Sequence, residues 1–151
     1  MRKQIIFNIG NGIYGIDVSH VMGIEKDIPV VEIPNAPACV KGIINLRGDV
    51  IPVFNLREKF HMPDVQLDTK ELIIAKSQGV IIAIEVDLVK EIVELDESKI
   101  GPVPSIIKNE HTKYIDSVAH LESGLVLVLN LDGLLDEDQA DNLQKIVENN
   151  N

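Results

Sequence analysis

Four histidines and one cysteine are the side chains in this sequence that are best able to bind a metal or act as a nucleophile. No histidine stands at the spacing of a zinc motif from another histidine or from Cys39. Cys39 lies in the apolar run Ala38–Val40, which favours a small buried side chain over an activated thiolate. The sequence also lacks a G-x-S-x-G elbow, a P-loop and a dinucleotide fingerprint. We therefore expect no metal, no cofactor and no catalytic activity.

Arg47 is a polar side chain whose surroundings favour recognition. It lies between the apolar runs Val40–Leu46 and Val50–Asn55, which predict a hairpin with the guanidinium at its tip. Gly48 permits the positive φ of a tight turn, and Pro52 favours an edge or bulge position for the second strand. A guanidinium held on a rigid turn is well suited to bind a carboxylate through two hydrogen bonds. A plain hairpin with a solvated arginine is the alternative.

The formal net charge of -10, from 24 acidic and 14 basic residues, limits the partners of this chain. Nucleic acids and anionic membranes both require a basic face, and the sequence contains no basic cluster. No apolar run approaches the roughly 18 residues of a membrane span, and the first residues show no signal-peptide core. We therefore expect a cytoplasmic protein that binds no nucleic acid and does not insert into a membrane.

Short strands must position Arg47. Only 3% of the residues are aromatic, so the core must consist of Ile, Val and Leu, and Ile and Val are β-branched. Turn residues separate the apolar runs at regular intervals without helical crossovers, which favours small barrels or a sandwich over a parallel α/β sheet. The predicted strands are Ile5–Ile9, Ile13–Val18, Val30–Ile33, Val40–Leu46, Val50–Asn55, Leu72–Lys76, Val80–Val86, Val89–Leu95, Tyr114–His120 and Leu125–Asn130.

An internal repeat of about 70 residues organises these strands. Ile16–Ile24 matches Ile84–Ile92, with apolar residues at the same places in both segments. Val50–Leu56 matches Leu125–Leu131 in the same way. Because only two copies occur, the repeat predicts a pseudo-symmetric pair of barrels rather than a solenoid.

The whole chain, residues 1–151, is predicted to form one domain. The two halves of the repeat fall at roughly 5–67 and 72–135. Helical spacing of the apolar residues at the end of the chain predicts a turn at 131–135 and a helix at about 137–148. We expect this helix to cover one face or edge of the β body.

The hairpin sequence Gly42-Ile43-Ile44-Asn45-Leu46-Arg47-Gly48 closely resembles the signature of the CheW family. Tyr14–Val18 and Ile33–Pro37 match the family upstream of this hairpin, and Ile100–Pro104 and Leu127–Leu131 match it downstream. The resemblance therefore covers nearly the whole chain in the correct order. It implies an all-β fold of two intertwined five-stranded, SH3-like barrels, which agrees with the internal repeat.

CheW proteins are adaptors that couple bacterial chemoreceptors to the histidine kinase CheA. The resemblance therefore implies a non-catalytic chemotaxis adaptor with two partners, the regulatory domain of CheA and the cytoplasmic tip of a chemoreceptor. It implies no small-molecule substrate, and it implies recruitment to receptor arrays at the inner face of the cell membrane. The residues that contact the kinase are not assigned by the resemblance.

The resemblance places the receptor tip in a groove between the two barrels. The apolar groove positions that it implies are Val18, Val21, Ile24 and Val89, with Arg47 nearby as the polar anchor. Ordinary core packing is the alternative for each of the valines. The signature hairpin residues are Gly42, Asn45, Leu46, Arg47 and Gly48.

The chain departs from the family at Gly23, where many relatives carry an acidic residue. Glu25 lies two positions further on, and Glu91, the equivalent of Gly23 in the second repeat, keeps a negative charge. A receptor contact made by that acid is therefore shifted or lost in this chain. A small-ligand-binding β-barrel sensor is the alternative function, and a hydrolase without a recognisable motif is a third.

Overall fold

The computed structural model describes residues 2–63, 65, 70–109, 112–135 and 137–150, and this part of the chain is mostly β-structure. Short connections, several of them 3-10 turns, join the strands. The strands are β1 (Arg2–Ile9), β2 (Gly12–Asp17), β3 (Val21–Lys26), β4 (Val31–Glu32), β5 (Val40–Leu46), β6 (Asp49–Asn55), β7 (Glu71–Ser77), β8 (Val80–Val86), β9 (Leu88–Leu95), β10 (Ile100–Gly101), β11 (Ile115–Leu121) and β12 (Gly124–Leu129), and the helices are α1 (Leu56–Lys59) and α2 (Glu137–Asn150).

The strands form two six-stranded sheets, each of which belongs to one SH3-like barrel. The strand order β10-β11-β12-β2-β1-β9 forms the barrel that uses both ends of the chain, which we call the terminal barrel. The order β3-β7-β8-β6-β5-β4 forms the central barrel. Each barrel has five longer strands in addition to one two-residue strand, β10 or β4. The predicted all-β pair of five-stranded barrels is therefore confirmed.

The two barrels exchange their first hairpins. The β1–β2 hairpin precedes β3 in the chain but pairs with β9 and β12, whereas β7 and β8 pair with β3 and β6. In each barrel, the exchanged hairpin is joined by a parallel pairing, β12 with β2 and β6 with β8. The barrels are intertwined because of this exchange. The predicted repeat halves, 5–67 and 72–135, follow the sequence repeat rather than these barrels and stay a prediction.

The exchanged hairpins bury both of their faces. Ile5 and Phe7 of β1 belong to an apolar cluster between the barrels, whereas Ile6 faces the interior of the terminal barrel. Ile73 and Ile74 of β7 are divided in the same way between the interbarrel cluster and the interior of the central barrel. This explains why these strands appear in the sequence as continuous apolar runs, since a strand with both faces buried does not alternate with polar residues.

The C-terminal helix α2 packs against β6 and β8 of the central barrel. Its residues Ala140 and Leu143 are buried in the interbarrel core, together with Leu131 and Leu134 from the preceding turn. The chain between β12 and α2 contains a 3-10 turn at Leu131–Gly133. The predicted C-terminal helix, and its place over the β body, are therefore confirmed.

Two strands and one residue differ from the sequence-based expectations. The predicted strands do not include β3, whose apolar alternation is interrupted by Gly23, or the two-residue strand β10. The expectation that Pro52 lies on an edge strand or bulge is wrong, because β6 lies between β5 and β8. Pro52 is tolerated there because β6 pairs with β8 only over Val53–Asn55, so no partner strand requires the missing N–H.

Candidate functional site

Val18, Val21 and Val89 all lie at the edge of the interbarrel core. All three are half-buried and pack against that core. Val18 lies in the 3-10 turn that leads from β2 to β3. Val21 is the first residue of β3, and Val89 is the second residue of β9. The structure therefore packs three of the residues predicted to line a groove against the same core, and their role in a groove stays a prediction.

Strand register explains why the two walls of this groove match. Val21 lies opposite Ala75, and Val89 lies opposite Phe7, in antiparallel pairs whose side chains share a face. In both walls the register shifts immediately after the valine, so Met22 and Lys90 are the extra residues of equivalent bulges. The pseudo-symmetry of Val21 and Val89 therefore extends to the backbone that holds them.

Ile24 continues the apolar wall on β3 and is 38% exposed. It lies opposite the core residue Ile73, which places its side chain on the face that borders the interbarrel core. Ile92 occupies the equivalent position on β9, opposite Ile5, and is 58% exposed. The sequence-based site omits Ile92, although the repeat already aligns it with Ile24. We call the strip formed by Val18, Val21, Ile24, Val89 and Ile92 the interbarrel groove.

The buried carboxylate of Glu71 links the two walls of the interbarrel groove. Its Oε1 accepts a hydrogen bond of 3.3 Å from the backbone N–H of Val89, and its Oε2 lies 4.0 Å from Nζ of Lys26. Glu71 lies on β7, which pairs with β3, and it accepts the hydrogen bond of the N–H group at the bulge of β9. No pattern in the sequence indicates this role, because the contact joins residues of different barrels.

Asp17 holds the turn that carries Val18. Its Oδ1 accepts a hydrogen bond of 2.8 Å from the backbone N–H of Ser19. Hydrogen bonds from the side chain and then the backbone of Ser19 lower the pKa of Asp17 below its ordinary value, and burial opposes this shift. The ionised carboxylate is therefore the form that stabilises the turn.

The signature hairpin is a tight two-residue turn. Leu46 and Asp49 pair across it, and both Arg47 and Gly48 adopt positive φ, 53° and 92°, as a type I′ turn requires. Oδ1 of Asn45 accepts a hydrogen bond of 2.9 Å from the backbone N–H of Gly48. Positive φ was expected for Gly48, and its occurrence at Arg47 fixes the guanidinium on a rigid backbone.

Gly42 has a different role in the same hairpin. A Cβ atom at this position would lie 2.2 Å from the carbonyl oxygen of Val31, which no side chain can accommodate without a shift of the backbone. Gly42 therefore permits the two-residue strand β4 to pair closely with β5.

Arg47 does not lie in the interbarrel groove. Its side chain is 80% exposed, and its Nη2 lies 3.4 Å from Oε1 of Glu25. Glu25 lies opposite Leu72, which faces the interior of the central barrel, so it occupies the face of β3 opposite to Ile24. Gly23, which lies opposite Ile74, shares this face with Glu25.

A pocket of about 360 Å³ lies beside Arg47 at the end of the central barrel, and we call it the end pocket. Met22, Gly23 and Glu25 of β3 line one side, and Gln144 and Val147 of α2 line another. The end pocket therefore combines apolar walls with a guanidinium and carboxylates. The interbarrel groove, in contrast, presents aliphatic side chains along two edge strands.

The described residues contain no group of three or more His, Cys, Asp or Glu side chains that could hold a metal ion, and His111 lies outside them. Within the same part of the chain, no helix is long and apolar enough to cross a membrane. The arrangement presents surfaces for binding another molecule, an aliphatic groove and a charged turn.

The family model for the CheW-like domain matches residues 3–139 of this chain. The chain belongs to the CheW family. It is 31% identical to the chemotaxis protein CheW of Klebsiella aerogenes over 148 residues, which cover 95% of this chain and 89% of that protein. It is 26% identical to CheW of Bacillus subtilis over 140 residues, which cover 92% of this chain and 90% of the relative.

A solved structure of the family has the same fold. The crystal structure of the scaffolding protein TtCheW from Thermoanaerobacter tengcongensis superposes with a TM-score of 0.81 at 28% sequence identity, and the match covers 91% of this chain and 94% of that one. CheW proteins are chemotaxis scaffolds, and this chain is therefore a member of a non-catalytic family.

Proposed function

We propose that this chain couples chemoreceptors to the histidine kinase CheA and that it binds the receptor tip in the interbarrel groove. The observation that carries the proposal is the pair of matched apolar walls, in which Ile24 and Ile92 stay exposed beside three half-buried valines. An aliphatic strip between two edge strands fits the apolar face of an amphipathic helix, and the receptor tip is a helical hairpin. Exposed apolar surface of this kind is typical of protein–protein contacts.

The proposed polar contact comes from Arg47. Its guanidinium is exposed, its backbone lies in a type I′ turn, and among the described residues the guanidinium makes one ion pair, a long one with Glu25. An exposed ion pair of this length is worth less than about 1 kcal/mol, so a receptor carboxylate can replace Glu25 at little cost. Arg47 and the interbarrel groove lie on opposite faces of β3, so the receptor must contact the strand from both sides of its edge.

The proposed second partner is the regulatory domain of CheA, and the array lies at the cytoplasmic face of the membrane. Two weak contacts of one adaptor, one with the receptor and one with the kinase, raise the overall affinity of the assembly above that of either contact. We assign no residues of this chain to the kinase contact.

The test is a binding experiment with the purified chain, CheA and a receptor cytoplasmic fragment from the same organism. Binding to both partners, with the receptor contact alone weakened by Arg47→Ala, supports the adaptor function and this assignment of the receptor contact. A folded protein that binds neither partner contradicts the proposal. A small molecule that raises the melting temperature, with no binding to either protein, favours the sensor function instead.

A further inference from the structure

The chain passes from the central barrel to the terminal barrel between β8 and β9, and Asp87 is the residue at this crossover. Val89 follows two positions later and belongs to the interbarrel groove. The conformation at Asp87 therefore determines where the β9 wall begins relative to the central barrel that carries the β3 wall.

Asp87 contacts both barrels. Its Oδ2 accepts a hydrogen bond of 2.6 Å from Nη2 of Arg57 in α1, which follows β6 of the central barrel. The same oxygen accepts a hydrogen bond of 2.7 Å from the backbone N–H of Gly10, in the β1–β2 turn of the terminal barrel. The backbone N–H of Asp87 donates to the carbonyl oxygen of Asn8 at 3.0 Å. One carboxylate thus connects three segments from two barrels.

The Arg57–Asp87 pair is shielded from water. The two side chains are 11% and 19% exposed, respectively. Nη1 of Arg57 also donates to the carbonyl oxygen of Pro63 at 3.2 Å, and Nε of Arg57 is buried without a hydrogen-bond partner among the described residues. A buried ion pair contributes little net stability, whereas removal of one member leaves an uncompensated buried charge and is strongly destabilising.

The equivalent crossover, from β2 to β3, is held differently. Its acid, Asp17, which the repeat aligns with Glu85 and not with Asp87, accepts a hydrogen bond from Ser19, two residues away, within the same turn. Asp87 instead accepts from Gly10 and Arg57, which are 77 and 30 positions away in the sequence. The crossover to β9 is therefore tied to both barrels, whereas the hydrogen bond from Ser19 to Asp17 at the β2–β3 crossover is local.

We propose that Arg57 and Asp87 are positioning residues that fix the β9 wall of the interbarrel groove relative to the β3 wall. The functional part of this inference rests on the proposed receptor binding, whereas the geometric part is independent of it. Neither side chain needs to touch the receptor, because their effect is transmitted by the relative position of the barrels.

The test measures the distance between the barrels directly. Nitroxide labels are attached to cysteines introduced at Glu122, in the β11–β12 turn, and at Lys76 on β7, since both positions are exposed and belong to different barrels. Cys39 is buried, and its labelling is checked in the parent protein. Pulsed electron paramagnetic resonance then gives the distribution of distances between the two nitroxides in the parent, Asp87→Asn and Arg57→Lys proteins. Should Asp87→Asn fail to fold, Arg57→Gln removes the same ion pair.

Glu85→Gln is the matched control. Glu85 lies on β8, two residues before Asp87, and accepts hydrogen bonds from Lys41 and Lys70. It is also a buried carboxylate, but its two lysines belong to β5 and to the approach to β7, so this cluster connects segments of the central barrel. Its loss is expected to lower the melting temperature without a change in the distance between barrels.

We expect Asp87→Asn to broaden the distance distribution and to weaken binding of the receptor fragment by about tenfold. Arg57→Lys keeps a positive charge beside Asp87 and is therefore expected to keep most of the parental distance distribution. A lower melting temperature for Asp87→Asn with an unchanged distance distribution would overturn the inference, as would a broadened distribution with unchanged receptor affinity. If the parent binds no receptor fragment but the distribution still broadens, the geometric inference stands and the proposed function fails.

Discussion

The two faces of β3 offer two different surfaces. On one face, Val21 and Ile24 belong to the interbarrel groove, where the neighbouring side chains are aliphatic. On the other face, Gly23 and Glu25 line the end pocket beside Arg47. Successive residues of a strand point to opposite faces, so the neighbours Ile24 and Glu25 lie on an apolar surface and on a charged surface, respectively.

This difference separates affinity from selection of the partner. In the proposed complex, burial of the aliphatic strip would supply the free energy of association, since it removes apolar surface from water. The exposed pair of Arg47 and Glu25 would supply little free energy but would discriminate between partners by charge. Substitutions on the two faces are therefore expected to have effects of different size and different dependence on salt.

The largest effect is expected from charges on the groove face. The double substitution Ile24→Asp and Ile92→Asp places two carboxylates in the proposed contact and should weaken receptor-fragment binding by at least about a hundredfold, or about 2.7 kcal/mol. Both side chains are partly or largely exposed, so the melting temperature should change little. Isothermal titration calorimetry measures the affinity.

The matched control is Leu125→Asp, which charges a residue of the terminal barrel that is 61% exposed and that has no part in the groove. It should leave receptor binding at the parental value. Equal losses for the control and the double variant would mean that added negative charge, rather than the groove, determines binding.

A smaller effect is expected on the other face of β3. Arg47→Ala should weaken receptor binding by about tenfold, or about 1.4 kcal/mol, because one charge-assisted contact is lost. The free energy of unfolding should change by less than about 1 kcal/mol, since the ion pair with Glu25 is exposed. Lys99→Ala, at an exposed lysine of the terminal barrel, is the control. A large fall in melting temperature would show that Arg47 is structural.

Movement of the acid along β3 should have less effect again. Gly23→Glu combined with Glu25→Gln moves the acid to the position that the family resemblance implies. A Cβ at position 23 would meet no atom within 4 Å, so the backbone there accommodates a β-carbon. Receptor affinity should stay within about threefold of the parental value, because the same face of β3 still carries one carboxylate. A tenfold change would show that the place of the acid, and not its presence, selects the receptor.

The smallest effect concerns the turn that carries Val18. Because the pKa of Asp17 is lowered in the folded protein, its contribution to stability is present above about pH 4 and is lost as the pH falls through the folded pKa. Asp17→Asn should therefore reduce the acid dependence of the melting temperature below pH 4. An unchanged slope between pH 5 and pH 2 would contradict this role.

Much of the fold follows from the sequence because its signals are local. The limits of β5 and β8 coincide with the predicted runs Val40–Leu46 and Val80–Val86, since turn residues end both runs. The strand β3 is missed because Gly23 and the bulge at Met22 interrupt its alternation. Its repeat equivalent, β9, was predicted, so comparison of the two halves contained the missing signal. The exchange of hairpins depends on pairings between distant segments, which no local pattern encodes.

The site was predicted in part for the same reason. The valines of the groove follow from the resemblance and the repeat, and the structure packs all three against the interbarrel core. Arg47 is separated from that groove because it contacts the opposite face of β3. The bulge at Met22 shifts the alternation of side chains after Val21, and this shift determines which residues of β3 lie on each face. Glu71 and the Arg57–Asp87 pair act across the barrel boundary, so their partners are visible only in three dimensions.

Photo-crosslinking tests the central claim, that the receptor docks between β3 and β9, most directly. A photoreactive phenylalanine replaces Ile24, Ile92 or Leu125 one at a time, and each variant is irradiated with the receptor fragment. We predict crosslinks to the receptor from positions 24 and 92 and none from position 125. Crosslinks from position 125 alone, or from none of the three while binding persists, would place the receptor elsewhere and contradict the assignment of the interbarrel groove.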